Sequence, residues 1–167
     1  MENKYNLTRE QNVFIAKRNI VDYIWKSANL EGISVTYPET QVIYDRGIVN
    51  GLSVNEVIAI NNLKYAWQFI LAEDNANYSF NTICDIHKLV CDKLVLDSDL
   101  GRIRTTPVNI GGTSWKPQFP IESQIKEELE QLLNQNTKTK TEIAIEIMLW
   151  LMRRQMFIDG NKRVAML

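Results

Sequence analysis

The run Arg153-Arg154-Gln155-Met156-Phe157-Ile158-Asp159-Gly160-Asn161-Lys162-Arg163 follows the most apolar helix-like segment of the chain, Ile143 to Met152. That segment predicts a helix, and its apolar character predicts that it is the central buried one. Asp159-Gly160-Asn161-Lys162-Arg163 then reads as a tight turn into a new helix. Gly accepts backbone angles that other residues resist, and the residues after it are good helix formers. Gly and Asn at a helix start leave backbone N–H groups free at the positive end of the dipole, and Lys162 and Arg163 add two cations. Such a site suits an anion, phosphate above all. Asp159, a hard oxygen donor beside it, suits a Mg²⁺ ion accompanying a nucleotide. Basic pairs next to helix starts also occur on ordinary solvated surfaces, and spacing alone leaves both readings open.

Taken together, Phe157-x-Asp159-Gly160-Asn161-Lys162-Arg163 resembles the core of the Fic (Fido) motif, HPFx(D/E)GNGRxxR, with the Lys variant of its Doc branch. The resemblance implies an all-α, Fic-like helical domain with one small β-hairpin, the flap. It implies an ATP-using protein adenylyltransferase that moves AMP to a Ser, Thr or Tyr hydroxyl. In that reading Asp159 holds Mg²⁺, and Gly160, Asn161, Lys162 and Arg163 bind the phosphates of ATP or a related nucleotide. The catalytic positions are Phe157 and Gln155. Three departures stand out: Gln155 occupies the place of the general-base His, Lys162 that of the second Gly, and Met166 that of the second Arg. An amide accepts no proton near neutral pH, so we expect transfer to be weak or lost. The alternatives are a non-catalytic module that binds nucleotide or protein, and a Doc-like transferase of the γ-phosphate.

Two further stretches fit the same family. Ser27-Ala28-Asn29-Leu30-Glu31-Gly32 reads locally as a helix ending in Asn and Gly with a solvated Glu, but it also resembles the Fic inhibitory motif (S/T)xxxE(G/N). On that resemblance Ser27 and Glu31 form an inhibitory element at 8–32, whose carboxylate hinders productive seating of ATP. With Met166 in place of its customary Arg partner, Lys162 or Arg163 is the substitute we expect. Gly101 to Trp115 shows β-branched alternation and then Gly-Gly, the pattern of a small hairpin in which Pro107 permits only an edge strand. It resembles the Fic flap, which clamps a target protein segment. Val108, Ile110, Gly111, Gly112 and Trp115 are its candidate contacts, within a flap at 101–116.

The remaining segments are helical in pattern. Thr8-x-x-Gln11 opens a helix to about Ser27, Pro38 to Arg46 forms a second, and Ser53-x-x-Glu56 opens a third to about Ala72. A fourth begins at Ser79 or Asn81 and ends before Asp97, a fifth spans Ile121 to Leu133, and Thr139-x-x-Glu142 opens the helix that delivers the motif at 139–167. His87 is the one histidine of the chain and sits at a packing position, where it stabilises rather than catalyses. Cys84 and Cys91 share one helix face, poor geometry for a disulfide, and read as reduced thiols.

A chain of 167 residues with 45% hydrophobic content can bury one core, so a single domain over 1–167 is expected. The helix after Asn161 has only about two turns before Leu167, and we expect the protein to continue beyond it. A net charge of −1 gives no global attraction to nucleic acid or anionic membrane. No stretch approaches the ~20 apolar residues of a membrane span. A cytoplasmic protein with neither nucleic-acid nor membrane partners follows.

Overall fold

The computed structural model describes residues 5–72 and 78–167, so the expected domain of 1–167 includes two short stretches outside the described residues. Among the described residues all regular structure is helical: α1 (Arg9–Leu30), α2 (Tyr37–Arg46), α3 (Val54–Leu71), α4 (Phe80–Cys91), α5 (Glu122–Leu133), α6 (Lys140–Arg154) and α7 (Asn161–Met166).

Local chemistry explains most of these starts. Thr8, Ser53 and Thr139 each accept from the backbone three residues on, while Gln11, Glu56 and Glu142 reach back to the cap. Such caps contribute about 1 kcal/mol each. Thr36 and Glu39 form a fourth box before Pro38, and Gly47 closes α2 in the left-handed region. Helix α1 runs one turn past Ser27, with Glu31 as its C-cap and Gly32 turning the chain at φ +83°. That extra turn carries Glu31 to the helix end. Helix α4 stops at Cys91, earlier than its apolar pattern suggested.

The core lies where α3 packs against α1, α2 and α4, with α7 against the far side of α4. Ile24, Ile43, Ile60, Leu63, Val90 and Cys91 are almost fully buried there, joined by Met156 and Phe157 from the loop before α7. The expectation that the Ile143–Met152 helix is central does not hold. Helix α6 packs chiefly on α7 and α5, and Leu151 is its only buried residue. Ile145 and Leu149 remain about half exposed, at 49% and 55%. An apolar run without a clear polar face cannot by itself tell a central helix from a peripheral one.

The flap also differs from expectation in detail. Residues 101–121 contain no paired strand; the segment runs in extended and bent backbone, with Gly112 turning it at φ +79°. The physical reason is visible at Arg104. Its guanidinium donates to Thr106 O at 2.8 Å and Gln118 O at 2.7 Å, tying the two arms together through a side chain. Pro107, which lacks an N–H, removes one ladder bond at the start. Among the described residues no helix is long and apolar enough to cross a membrane.

Candidate functional site

The site is the loop between α6 and α7, and each of its residues is held by a different part of the core. Gln155 ends α6 in the left-handed conformation at φ +46°. Its side-chain Nε2 donates back to Met152 O at 2.6 Å, so the amide is spent on capping its own helix. Met156 and Phe157 follow, both with no exposed surface, anchoring the loop as two apolar plugs. Asn161 then closes the turn: Phe157 N–H donates to Asn161 Oδ1 at 2.9 Å, and Asn161 Nδ2 donates to Phe157 O at 2.8 Å. Gly160 sits at φ +74°, and a Cβ there would lie 2.3 Å from Cys91 Sγ. Both conformation and space demand glycine at this position.

His87 supports the loop from beneath. Its ring is fully buried and stacks on Phe157 with centroids 3.9 Å apart at 14°. Gly101 N–H donates to Nδ1 at 2.9 Å, which leaves the proton on Nε2 to be donated to Asp159 O at 3.2 Å. One imidazole thereby joins the flap's first residue to the motif loop, and the neutral tautomer is required for both bonds. Burial pushes His87 down to about 4, against the smaller opposing effect of its bond to Asp159. The sign of the consequence follows directly. Between pH 6.5 and about 4 the unfolded chain takes up a proton that the folded chain refuses. Stability is therefore fully present above pH 6.5 and falls as the pH drops through that window, by on the order of 2–3 kcal/mol. Urea unfolding at pH 7, 5.5 and 4.5 checks this, and His87→Gln should lose this part of the pH dependence.

Arg163 enters the core with only 6% of its surface exposed and is compensated on three sides. It donates to Val90 O at 3.1 Å near the carbonyl end of α4 and to Asp159 Oδ2 at 2.7 Å, and its Nε lies 3.2 Å from Glu31 Oε2. Asn62, buried on α3, donates to Asp92 O at 2.8 Å and completes the end of α4. Lys162 donates to Leu30 O at 2.6 Å, at the carbonyl end of α1, and lies 3.1 Å from Glu31 Oε1. Glu31 thus touches both cations of the motif from the end of α1. Neither contact has hydrogen-bond alignment, since Glu31 Oε1 and Arg163 Nε are buried without a hydrogen-bond partner. The carboxylate is held there by charge and by the position of Glu31 as the C-cap of α1. Glu31, Asp159 and Arg163 face a cleft of about 240 Å³ whose other walls come from α3, Ile33 and Leu94.

Among the described residues no group of three or more His, Cys, Asp or Glu side chains is arranged to hold a metal. Asp159 stands alone, its side chain 59% exposed with Oδ2 engaged by Arg163. Cys84 and Cys91 are free and buried, and burial pushes their thiols up to about 11 and about 12. Ser27 is buried one turn before Glu31. In the flap, Val108, Ile110 and Trp115 are half-buried, Gly111 and Gly112 exposed.

Sequence reasoning singled out Glu31, Asp159, Gly160, Asn161, Lys162 and Arg163, and the structure brings them together at one loop. Arg104 enters the sequence reading only as the last residue of the flap pattern Gly101-x-x-Arg104, with no role given; besides the flap carbonyls it donates through Nε to Gln155 O at 2.7 Å, while its own backbone N–H donates to Met156 O at 2.9 Å. Arg102 and Arg104 flank Ile103 in the sequence, and nothing local tells which of the two guanidiniums is buried. Sequence reasoning also missed Asn62, a single polar residue within an apolar stripe.

The described residues form an all-helical domain whose helix–loop–helix turn is plugged into the core and presents clustered cations to one carboxylate. Residues 77–167 match the model of the Fic/DOC family. The chain belongs to the Fic/DOC family. It is 29% identical over 153 residues to protein adenylyltransferase fic-1 of Caenorhabditis elegans, covering 87% of this chain and 30% of that protein. Among solved structures it resembles a C. elegans Fic-1 fragment with a TM-score of 0.74 at 23% identity, covering 98% of this chain and 50% of that one. A substituted form of the same fragment gives a TM-score of 0.75 at 20% identity, covering 97% and 50%. At these identities the solved structures speak for the fold. The chain spans about a third of the curated relative and half of the solved one.

Proposed function

We propose that this chain is an ATP-binding protein of the adenylyltransferase type, restrained by Glu31 and weak or silent in transfer because Gln155 stands at the position of the general base. The curated relative is a protein adenylyltransferase, which supports the reaction class. The observation that carries the restraint is the placement of one carboxylate on both cations of the motif, 3.1 Å from Lys162 and 3.2 Å from Arg163.

In this reading the nucleotide's phosphates lie against the Gly160-Asn161 turn and are neutralised by Lys162 and Arg163. Asp159 fits a Mg²⁺ ion of the kind that arrives with a nucleotide, because Mg²⁺ is held by one or two carboxylates together with substrate phosphates and water. The open side of its carboxylate is available for that purpose. When bound, the ion supplies neutralisation of phosphate charge. The flap holds a target segment beside Gln155. Its arms keep backbone donors and acceptors free of strand pairing, as an added extended segment requires. The γ-phosphate alternative of the Doc branch rests on Lys162, whose ammonium here is turned toward Leu30 O and Glu31.

Glu31 acts on both cations at once. It repels incoming phosphates and occupies the charges that would receive them. Removing it is expected to raise affinity for MgATP by about 10-fold, the scale of one exposed-to-half-buried ion pair plus relieved repulsion. Calorimetric titration of the parent chain and Glu31→Gly with MgATP checks this. Equal affinity in the two, or no binding in either, overturns the reading.

A further inference from the structure

A second cleft, of about 270 Å³, lies between the flap, α5 and the end of α6, and is lined by Trp115, Gln118, Glu128, Trp150, Arg153 and Arg154. Most of its polar groups are already matched. Glu128 accepts from Trp150 Nε1 at 2.7 Å and from Arg154 Nε at 2.8 Å, and Arg154 NH1 donates to Gln118 Oε1 at 3.4 Å. Arg154 is therefore neutralised in place. Arg153 is not: its guanidinium lies over the Trp115 ring, 4.9 Å from the centroid, and among the described residues it has no carboxylate partner. Stacking fixes the plane of the guanidinium while leaving its N–H donors unused, an arrangement suited to a carboxylate.

One turn back along the same face of α6 stands Leu149, and one turn further Ile145, both about half exposed. An exposed apolar stripe thus leads to a cation stacked on the flap's Trp115 that has no carboxylate partner among the described residues. Four residues of helix advance about 6 Å, close to the roughly 6.6 Å that separates same-side residues in an extended chain. We propose that this surface docks an extended protein segment through an acidic side chain on Arg153, with an apolar side chain two residues away on Leu149. The inference rests on the reading of 101–116 as a target-holding flap and gives that flap a sequence preference. A stacked guanidinium close to Glu128 and the apolar stripe suits a monoanionic carboxylate; a polyanion such as nucleic acid would meet Glu128 and the apolar stripe.

The test is fluorescence anisotropy without nucleotide, using the labelled peptide Thr-Val-Thr-Leu-Thr-Glu-Thr-Ser-Val-Thr and versions with Gln or Lys in place of Glu. The Gln version should bind the parent chain about 10-fold more weakly, the difference of one charge-assisted contact. Arg153→Glu should reverse the order and favour the Lys version, while Leu149→Asp should weaken all three. Arg153 is exposed, so its variant should melt as the parent does. Equal binding of the three peptides, no binding of any, or an unchanged order in Arg153→Glu overturns the proposal. MgATP titration of the same samples separates the two readings. ATP binding without a peptide preference rejects the docking alone, and a peptide preference without ATP binding rejects the nucleotide site while the docking stands.

Discussion

Gln155→His, placed in the Glu31→Gly background, is expected to raise AMP transfer from ATP to protein hydroxyls by about 10²–10⁴-fold over Glu31→Gly alone, the usual contribution of a positioned general base. The geometry favours the substitution. Position 155 holds a left-handed backbone, φ +46°, and histidine is among the non-glycine residues enriched there. The native amide spends its Nε2 on Met152 O, so an imidazole displaces only a local cap, whose loss costs about 1 kcal/mol. The carbonyl of residue 155 remains clamped by Arg104 at 2.7 Å, which holds the backbone whatever side chain it carries. His87 cannot replace the missing base. It is buried, neutral and bonded on both nitrogens, with Nδ1 accepting from Gly101 N–H and its proton on Nε2 directed to Asp159 O.

The pH profile should carry the signature of the new group. An ordinary imidazole deprotonates near 6.5, so transfer by the double variant should rise as pH passes from 5.5 to 7.5, while the residual rate with Gln155 stays flat. ATP labelled separately at the α- and γ-phosphate decides the group transferred. Transfer of α-label in Glu31→Gly alone, at the rate of the double variant, would show that Gln155 is no obstacle. Label from the γ-position only would select the Doc-like reaction, and no label with no ATP binding would remove the nucleotide site itself.

The sequence made the site legible to the extent that its residues are contiguous. Asp159 to Arg163 form one turn, and a turn's chemistry can be read from its own letters: a glycine, a closing asparagine, two cations. Glu31 was legible only through its spacing from Ser27, yet Lys162 and Arg163 are its neighbours in space. The helix starts were legible because capping is local. Burial of α6 was not, because it depends on which other helices share that face. The flap failed for a related reason. Alternating β-branched residues indicate extended backbone, and 101–116 is extended or bent, but strand pairing also needs free N–H groups opposite each other. Here a buried guanidinium satisfies carbonyls that a ladder would otherwise use.

Arg104→Ala should be the most damaging single truncation outside the apolar core, lowering stability by about 3–5 kcal/mol. Arg104 is 3% exposed, and burial lowers its guanidinium from the ordinary value, yet it stays charged because its donors meet carbonyls: Gln155 O, Thr106 O and Gln118 O. Each bond from a charged donor contributes about 1.5–3 kcal/mol, and truncation leaves three carbonyls without their donor. For a chain of this length the loss corresponds to a fall in Tm of roughly 10 °C. Destabilisation alone would not distinguish a tie from ordinary packing. Arg104→Met separates them, since it retains most of the volume and removes every donor. Both variants should release the flap, so trypsin should cut after Arg102 faster than in the parent under conditions where the rest of the chain stays folded. Arg104→Lys should fall between, because an ammonium cannot span three carbonyls set around a planar fork. If Arg104→Met melts and is cleaved like the parent, the guanidinium is not what joins the two flap arms to the motif loop, and the loop's conformation must come from Phe157, Asn161 and His87 alone.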